Sequence, residues 1–88
     1  MKANYEKVSQ TLKALAHPAR FKIVSGLIKN ECNVAQIQKV LRLPQSTISQ
    51  HLRILKDAGI IKGRREGTKT CYSVIDARVR KIVEIYKG

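Results

Sequence analysis

The spacing of apolar residues changes abruptly at Gly59, and this change constrains the fold more than any other feature of the chain. Before it, over about 44–58, apolar residues recur at the three- and four-residue spacing of an amphipathic helix. After it, over about 60–75, they follow the two-residue alternation of strands around the turn Glu66-Gly67-Thr68. Apolar residues at helical spacing do not form a stable strand, and apolar residues at strand spacing do not form a stable helix. The sequence therefore predicts a helix followed directly by a β-hairpin.

Three more helices are predicted upstream of residue 44. Apolar spacing predicts the first over about Asn4–Ala16, and Pro18, which suits a first helical turn, starts the second, which runs to about Lys29. Asn33 followed by Gln36 has the form of a capping box and starts a short third helix. These helices bring the total before the hairpin to four.

A fifth helix follows the hairpin, with Asp76 as a favourable N-cap. In the hairpin, alternation points Tyr72 and Val74 inward, and Lys69, Cys71 and Ser73 outward. The order predicts a winged helix-turn-helix. This is an α+β, mostly α fold with about five helices and a two- or three-stranded β-wing, in a single domain over residues 1–88.

The charge of the chain indicates its class of partner. Eighteen Lys and Arg against six Asp and Glu give a net charge of +12, and a basic domain of this kind favours nucleic acid. No apolar run approaches the roughly 18 residues of a spanning helix, and the first ten residues lack the apolar stretch of a signal peptide. We therefore expect a cytoplasmic protein without a membrane partner, its cysteines normally reduced.

The first nine residues of the helix over about 44–58, Pro44–Leu52, carry hydrogen-bonding side chains and no formal charge. In a helix-turn-helix the second helix enters the major groove, where base edges offer neutral donors and acceptors. If Ile48, Leu52 and Leu55 face the core, a polar face points away from it. The predicted base-contacting residues are Gln45, Ser46, Ser49 and Gln50. The predicted backbone or secondary contacts are Thr47, His51, Arg53, Lys62, Arg64, Arg65 and Lys69.

A structural interpretation of the same residues stays open. Ser and Thr often cap helix N-termini, and Gln is an ordinary surface residue. His51 lies beside the core face, so a structural hydrogen bond is an alternative to a DNA contact, and a structural role is likewise the alternative for Thr47. The position of the segment, before a basic hairpin, favours DNA binding.

Three segments of the chain resemble the ArsR/SmtB family of winged-helix repressors. They are LKALAHPARFKIV (Leu12–Val24), LPQSTISQHLRILKDAGII (Leu43–Ile61) and GRREGTKTCYSV (Gly63–Val74), joined by ECNVAQI (Glu31–Ile37). The resemblance implies repression at an inverted-repeat operator in double-stranded DNA. It assigns base contacts to the same polar face. Pro44 departs from the Ser or Thr that often caps this helix in the family, so a side-chain cap is lost.

The resemblance also implies a homodimer built on the first and last helices. Both helices show apolar stripes that so short a domain buries only in part, although the alternative is that both stripes close the core of one chain. The predicted interface residues are Val8, Leu12, Leu15, Val79, Ile82, Val83 and Tyr86.

None of the sensing sites known in the family is intact in this sequence. Asn33 and Ala35 occupy the positions of the family's thiolate metal ligands, and Arg78 replaces the His that follows Asp76 in its last-helix site. We predict no metal and no cofactor. The remaining candidate is the pair Cys32 and Cys71. A segment before the third helix that pairs with the second wing strand would bring these residues together, and their oxidation would alter the wing and weaken DNA binding.

Other classes of function fit less well. The sequence has no paired carboxylates, glycine-rich phosphate loop or nucleophile–base spacing, so we predict that the chain is not an enzyme. RNA binding favours exposed aromatic side chains, and most of the few aromatics here fall in core patterns. The alternative that remains is a winged helix that binds protein, or a non-specific architectural DNA-binding module.

Overall fold

Five helices and one hairpin follow one another in the computed structural model, which describes residues 4–87. Their order and bounds are α1 Tyr5–Leu15, α2 Pro18–Lys29, α3 Val34–Leu41, α4 Gln45–Asp57, β1 Ile61–Glu66, β2 Lys69–Val74 and α5 Ala77–Lys87. The predicted winged helix-turn-helix is confirmed, with α3 and α4 as its two helices and the two strands as its wing.

Side chains at three helix starts satisfy backbone N–H groups that have no partner within the helix. Asn4 Oδ1 accepts from Lys7 N at 3.1 Å, and His17 Nδ1 accepts from Ala19 N at 3.1 Å with Pro18 at the first helical position. Asp76 Oδ1 accepts from Arg78 N at 2.9 Å. The starts of α1, α2 and α5 are therefore set by local sequence.

The capping box predicted at Asn33 is wrong. Asn33 precedes α3, but its side chain makes no capping hydrogen bond. Its backbone, with φ −92° and ψ 30°, lies outside the extended conformation that N-cap residues usually adopt. The preceding Cys32 has a φ of +65°, so the chain enters α3 through a tight turn rather than an extended segment.

The junction between α4 and the wing is a Schellman motif centred on Gly59. Gly59 has a φ of +75°, a conformation that glycine adopts without strain. Its N–H donates to Lys56 O and the N–H of Ile60 donates to Leu55 O, each at 3.0 Å. Ile60 is fully buried. The helix stop thus anchors the first residue of the wing in the core.

The hairpin pairs in a regular antiparallel register from Ile61 opposite Val74 to Glu66 opposite Lys69. Glu66 therefore belongs to β1, and the turn is the two residues Gly67-Thr68. Gly67 has a φ of +65° and Thr68 does not have a positive φ, which is the pattern of a type II′ turn. A two-residue turn of this type fixes the register of the wing.

The prediction that Cys71 faces outward is wrong. Cys71 is only 4% exposed, and Val74, three residues on, is buried as predicted. The turn before α3 covers this side of β2, and the N–H of Cys32 donates to Tyr72 O at 3.2 Å. Ser73 is likewise half-buried. Alternation alone does not predict this burial, because a segment distant in sequence packs against the face of β2 that alternation assigns to solvent.

One hydrophobic core joins all five helices to the base of the wing. Its fully buried large side chains are Ile23, Leu27, Ile48, Leu55, Ile60, Ile61, Val24 and Val79. The inward orientation predicted for Ile48, Leu52 and Leu55 is confirmed. Among residues 4–87, no helix is long and apolar enough to cross a membrane.

Candidate nucleic-acid interface

Helix α4 presents a polar face to solvent along its whole length. Burial of Ile48, Leu52 and Leu55 turns the opposite side of the helix outward. The side chains exposed there include all four predicted base contacts and the one guanidinium: Gln45, Ser46, Ser49, Gln50 and Arg53. The structure therefore brings these residues onto one accessible surface, which we call the α4 face.

The N-terminus of α4 lacks a side-chain cap, as the sequence predicted. Pro44 is the N-cap residue, and its carbonyl accepts from Thr47 N at 3.0 Å. The N–H groups of the first turn have no side-chain acceptor among the described residues. Such N–H groups carry partial positive charge and favour phosphate. Thr47 itself is half-buried, beside the core rather than on the α4 face.

The wing divides its cations between two faces. Cross-strand pairs share a face, so Lys62, Arg64 and Lys69 lie on the same side, opposite Ser73, Cys71 and Glu66 respectively. Arg65, opposite Thr70, points to the other side. All four cations are exposed. Arg64 pairs with Glu66 at 2.7 Å, but this exposed ion pair is weak enough for a phosphate to replace it.

His51 is held by neighbouring helices instead of projecting with the α4 face. Arg20 Nη1 donates to His51 Nδ1 at 3.4 Å, and the ring of His17 lies with its centroid 4.8 Å from that of His51. Burial lowers the pKa of His51, and the charges of His17 and Arg20 lower it further. Since Arg20 also hydrogen-bonds the Ala14 carbonyl, it ties α1, α2 and α4 together. These contacts favour the structural alternative for His51.

Sequence reasoning did not identify two arginines that position the interface. Arg20 is one, and no local pattern marks it. Arg80 is the other: its guanidinium donates to Val74 O at 2.9 Å and 3.2 Å, which joins α5 to the end of the wing. Each lies six residues from the carbonyl that it binds, a spacing outside the rules for helical neighbours.

Cys32 and Cys71 are bonded to each other in the structure, with their Cα atoms 4.3 Å apart. Arg64 Nη2 lies 3.8 Å from Cys71 Sγ and also donates to Glu66. One ligand atom from each of Cys32, Glu66 and Cys71 lies within 4.8 Å of the others. While the sulfurs are joined, neither offers a thiolate to a metal ion.

An apolar groove lies between α1, α2 and α5. Its volume is about 570 Å³, and its lining is Leu12, Leu15, Ala16, Phe21, Ile82, Ile85 and Tyr86. Tyr86 meets Phe21 edge-on, with ring centroids 6.3 Å apart, yet Tyr86 remains 78% exposed. Of the predicted interface residues, Leu12 and Tyr86 are exposed, Val8 and Ile82 are half-buried, and Leu15, Val79 and Val83 lie in the core of the chain itself. Ile85, which the apolar stripe did not include, is 75% exposed.

The chain is similar in sequence to bacterial and archaeal regulatory proteins. The family model described as "Bacterial regulatory protein, arsR family" matches residues 17–62, from the start of α2 into β1. The uncharacterized HTH-type transcriptional regulator MJ1325 of Methanocaldococcus jannaschii is 44% identical over 82 residues, which cover 92% of each chain.

Two solved structures have a backbone that closely matches that of this chain. The transcriptional repressor PagR of Bacillus anthracis is 40% identical and superposes with a TM-score of 0.82 over 93% of this chain and 94% of its own. The homodimeric winged helix-turn-helix DNA-binding domain of Mb0332 from Mycobacterium bovis is 26% identical, with a TM-score of 0.83 over 98% of this chain and 84% of its own.

Proposed function

Because the chain belongs to the arsR family of bacterial regulatory proteins and is a DNA-binding transcriptional regulator, not an enzyme, we propose that it is a homodimeric repressor. Its operator is an inverted repeat, one half-site for each subunit. The observation that carries this proposal is the exposed α4 face, which presents four neutral hydrogen-bonding side chains and one guanidinium in a chain whose net charge is +12.

The α4 face contacts bases in the major groove. Gln45 and Gln50 carry amides that suit adenine edges, and Ser46 and Ser49 carry hydroxyls that donate or accept. Arg53, more than two turns into the helix, contacts phosphate. Exposure of these side chains, together with the burial of the opposite side of α4, supports this assignment.

The wing holds the DNA backbone through Lys62, Arg64, Arg65 and Lys69. Phosphate contacts set affinity and orientation without selecting sequence. The two-residue turn and the regular register support this role, because they project these exposed cations from a core-anchored base.

Two subunits associate through the apolar groove. Leu12 and Tyr86 border it together with Ile85, and such a concentration of exposed apolar side chains is typical of interaction surfaces. Leu15 lines the groove but is only 4% exposed, and Val79 and Val83 lie in the core of the chain itself. A two-fold axis here sets two α4 faces about 34 Å apart, one turn of DNA.

Selection of bound duplexes from a random pool, with purified reduced protein at moderate salt, tests the proposal. We expect enrichment of an inverted repeat whose half-sites lie about 10 base pairs apart. Tight, salt-sensitive binding without enrichment would contradict it and identify an architectural module. Negligible DNA affinity would instead identify a winged helix that binds protein.

A further inference from the structure

The bond between Cys32 and Cys71 closes a ring around the DNA-facing part of the molecule. The two residues are 39 apart in sequence, and between them lie α3, α4 and β1. We propose, with DNA binding by this chain as the premise, that this pair is a thiol–disulfide modification site. A low-molecular-weight disulfide oxidises it, and the resulting bond strengthens DNA binding by fixing the wing.

The bond lies at the point where contacts with the core no longer hold the wing. At its base, Ile61 and Val74 are buried, and Ile75 N donates to Ile60 O at 2.9 Å. Toward the tip, residues 64–70 are all exposed. Cys71 is the first buried residue after that exposed stretch, and it is covered by the turn that contains Cys32. The disulfide therefore fastens the wing at the boundary between its buried base and its exposed outer half.

The two sulfurs differ in access and in electrostatic surroundings. Cys32 is exposed and Cys71 is buried, so an external disulfide reaches Cys32 first. The guanidinium of Arg64, 3.8 Å from Cys71 Sγ, stabilises negative charge on that sulfur. Cys32 is therefore the attacking thiol and Cys71 the resolving thiol.

The exchange is balanced in atoms and electrons. The Cys32 thiolate attacks one sulfur of the small disulfide, whose S–S bond breaks and releases one thiolate. The Cys71 thiolate then attacks the Cys32 sulfur of the mixed disulfide and expels the second thiolate. The two protons lost by the cysteines are taken up by the two leaving thiolates. The protein pair is oxidised by two electrons, and the small disulfide is reduced to two thiols.

Formation of the bond leaves the wing ready to bind. All six cross-strand pairs from Ile61–Val74 to Glu66–Lys69 are intact with the sulfurs joined. This reverses the direction predicted from the sequence, in which oxidation distorts the wing. A disulfide that holds a binding segment in its bound conformation lowers the entropy lost on association. Reduction frees the outer half of the wing, so Arg65 and Lys69 must be ordered when DNA binds.

Fluorescence anisotropy on the selected duplex tests the proposal, with a chelator present because the reduced thiols and Glu66 offer three ligand atoms to metals. Protein oxidised with oxidised glutathione is compared with protein reduced by a phosphine, and mass spectrometry confirms the loss of two hydrogens. We expect the oxidised form to bind about two- to tenfold more tightly, as expected for immobilising one or a few side chains.

A C32S/C71S double variant is the matched control. It should bind like the reduced wild type and show no response to the oxidant. Equal affinities of the oxidised and reduced wild type, or tighter binding by the reduced form, would overturn the proposal while leaving the proposed function intact. Failure of both forms to prefer the selected duplex over a scrambled one would overturn the proposed function and this proposal with it.

Discussion

At the scale of single residues, Gln50 separates sequence selection from general affinity. Its exposed amide lies in the middle of the α4 face and makes no hydrogen bond among the described residues. Gln50→Ala should reduce the preference at one base position of each half-site by about 1–3 kcal/mol, because a bidentate amide–adenine contact is lost. Competition binding with single-position operator variants measures this, and an unchanged preference at every position would contradict it.

His51 should make the stability of the fold depend on pH. Burial and the charges of His17 and Arg20 lower its pKa in the folded state, whereas the unfolded chain protonates near the usual value of about 6.5. As the pH falls below about 6.5, the unfolded state therefore takes up more protons, and the free energy of unfolding decreases. The decrease continues until the lowered folded-state pKa is passed.

Urea unfolding at a series of pH values between 7.5 and 5 tests this pH dependence. His51→Gln keeps a hydrogen-bonding side chain but does not titrate. Its free energy of unfolding should therefore decrease less steeply with falling pH than that of the wild type. Equal slopes for the two proteins would exclude His51 as the source.

At the scale of elements, substitutions in the wing and in α4 should affect DNA binding in different ways. Arg65 is exposed on the side of the hairpin away from Arg64 and contacts phosphate in the proposed complex. Arg65→Ala should weaken binding to all duplexes equally and flatten the slope of log affinity against log salt by about 1.8, the value for one phosphate lost by each of the two subunits. Lys81→Ala, which removes a cation from an exposed position on α5, is the control and should leave the slope unchanged. Loss of preference at one base position in Arg65→Ala would contradict the division between wing and α4.

At the scale of the whole molecule, oligomerisation depends on the apolar groove. Tyr86→Glu places a charge on its most exposed aromatic and should weaken dimerisation by tenfold or more, since burial of a large apolar side chain contributes about 1.5–3 kcal/mol. Analytical ultracentrifugation measures the dissociation constant. Val40→Glu is the matched control, because Val40 is 70% exposed but lies on α3, away from the groove. Equal effects of the two substitutions would show that the groove is not the interface.

The ring closed by the disulfide should also stabilise the entire fold. Because the bond joins residues 39 apart, the chain-entropy relation gives about 4 kcal/mol of stabilisation through the unfolded state. Reduction should lower the free energy of unfolding by up to that amount, as measured by denaturant titration with and without reductant. The C32S/C71S variant should match the reduced protein, and a variant as stable as the oxidised form would contradict this account.

The sequence by itself determined the elements and the face of α4. Pro18, Gly59 and Asp76 act on their immediate neighbours, and apolar periods of 3.6 and 2 depend only on local geometry, so five helices and a hairpin follow from them. The outward orientation of Gln50 followed for the same reason, because burial of one side of a helix fixes the other.

The tertiary structure alone decided which distant parts of the chain pack against each helix and strand. Cys71 is buried because a turn distant in sequence covers it, and His51 turns from the α4 face because Arg20 reaches it from another helix. Leu15 and Tyr86 belong to similar apolar stripes, yet one closes the core and the other remains exposed. A periodic pattern indicates that a face is apolar, but the packing of elements distant in sequence determines what covers that face.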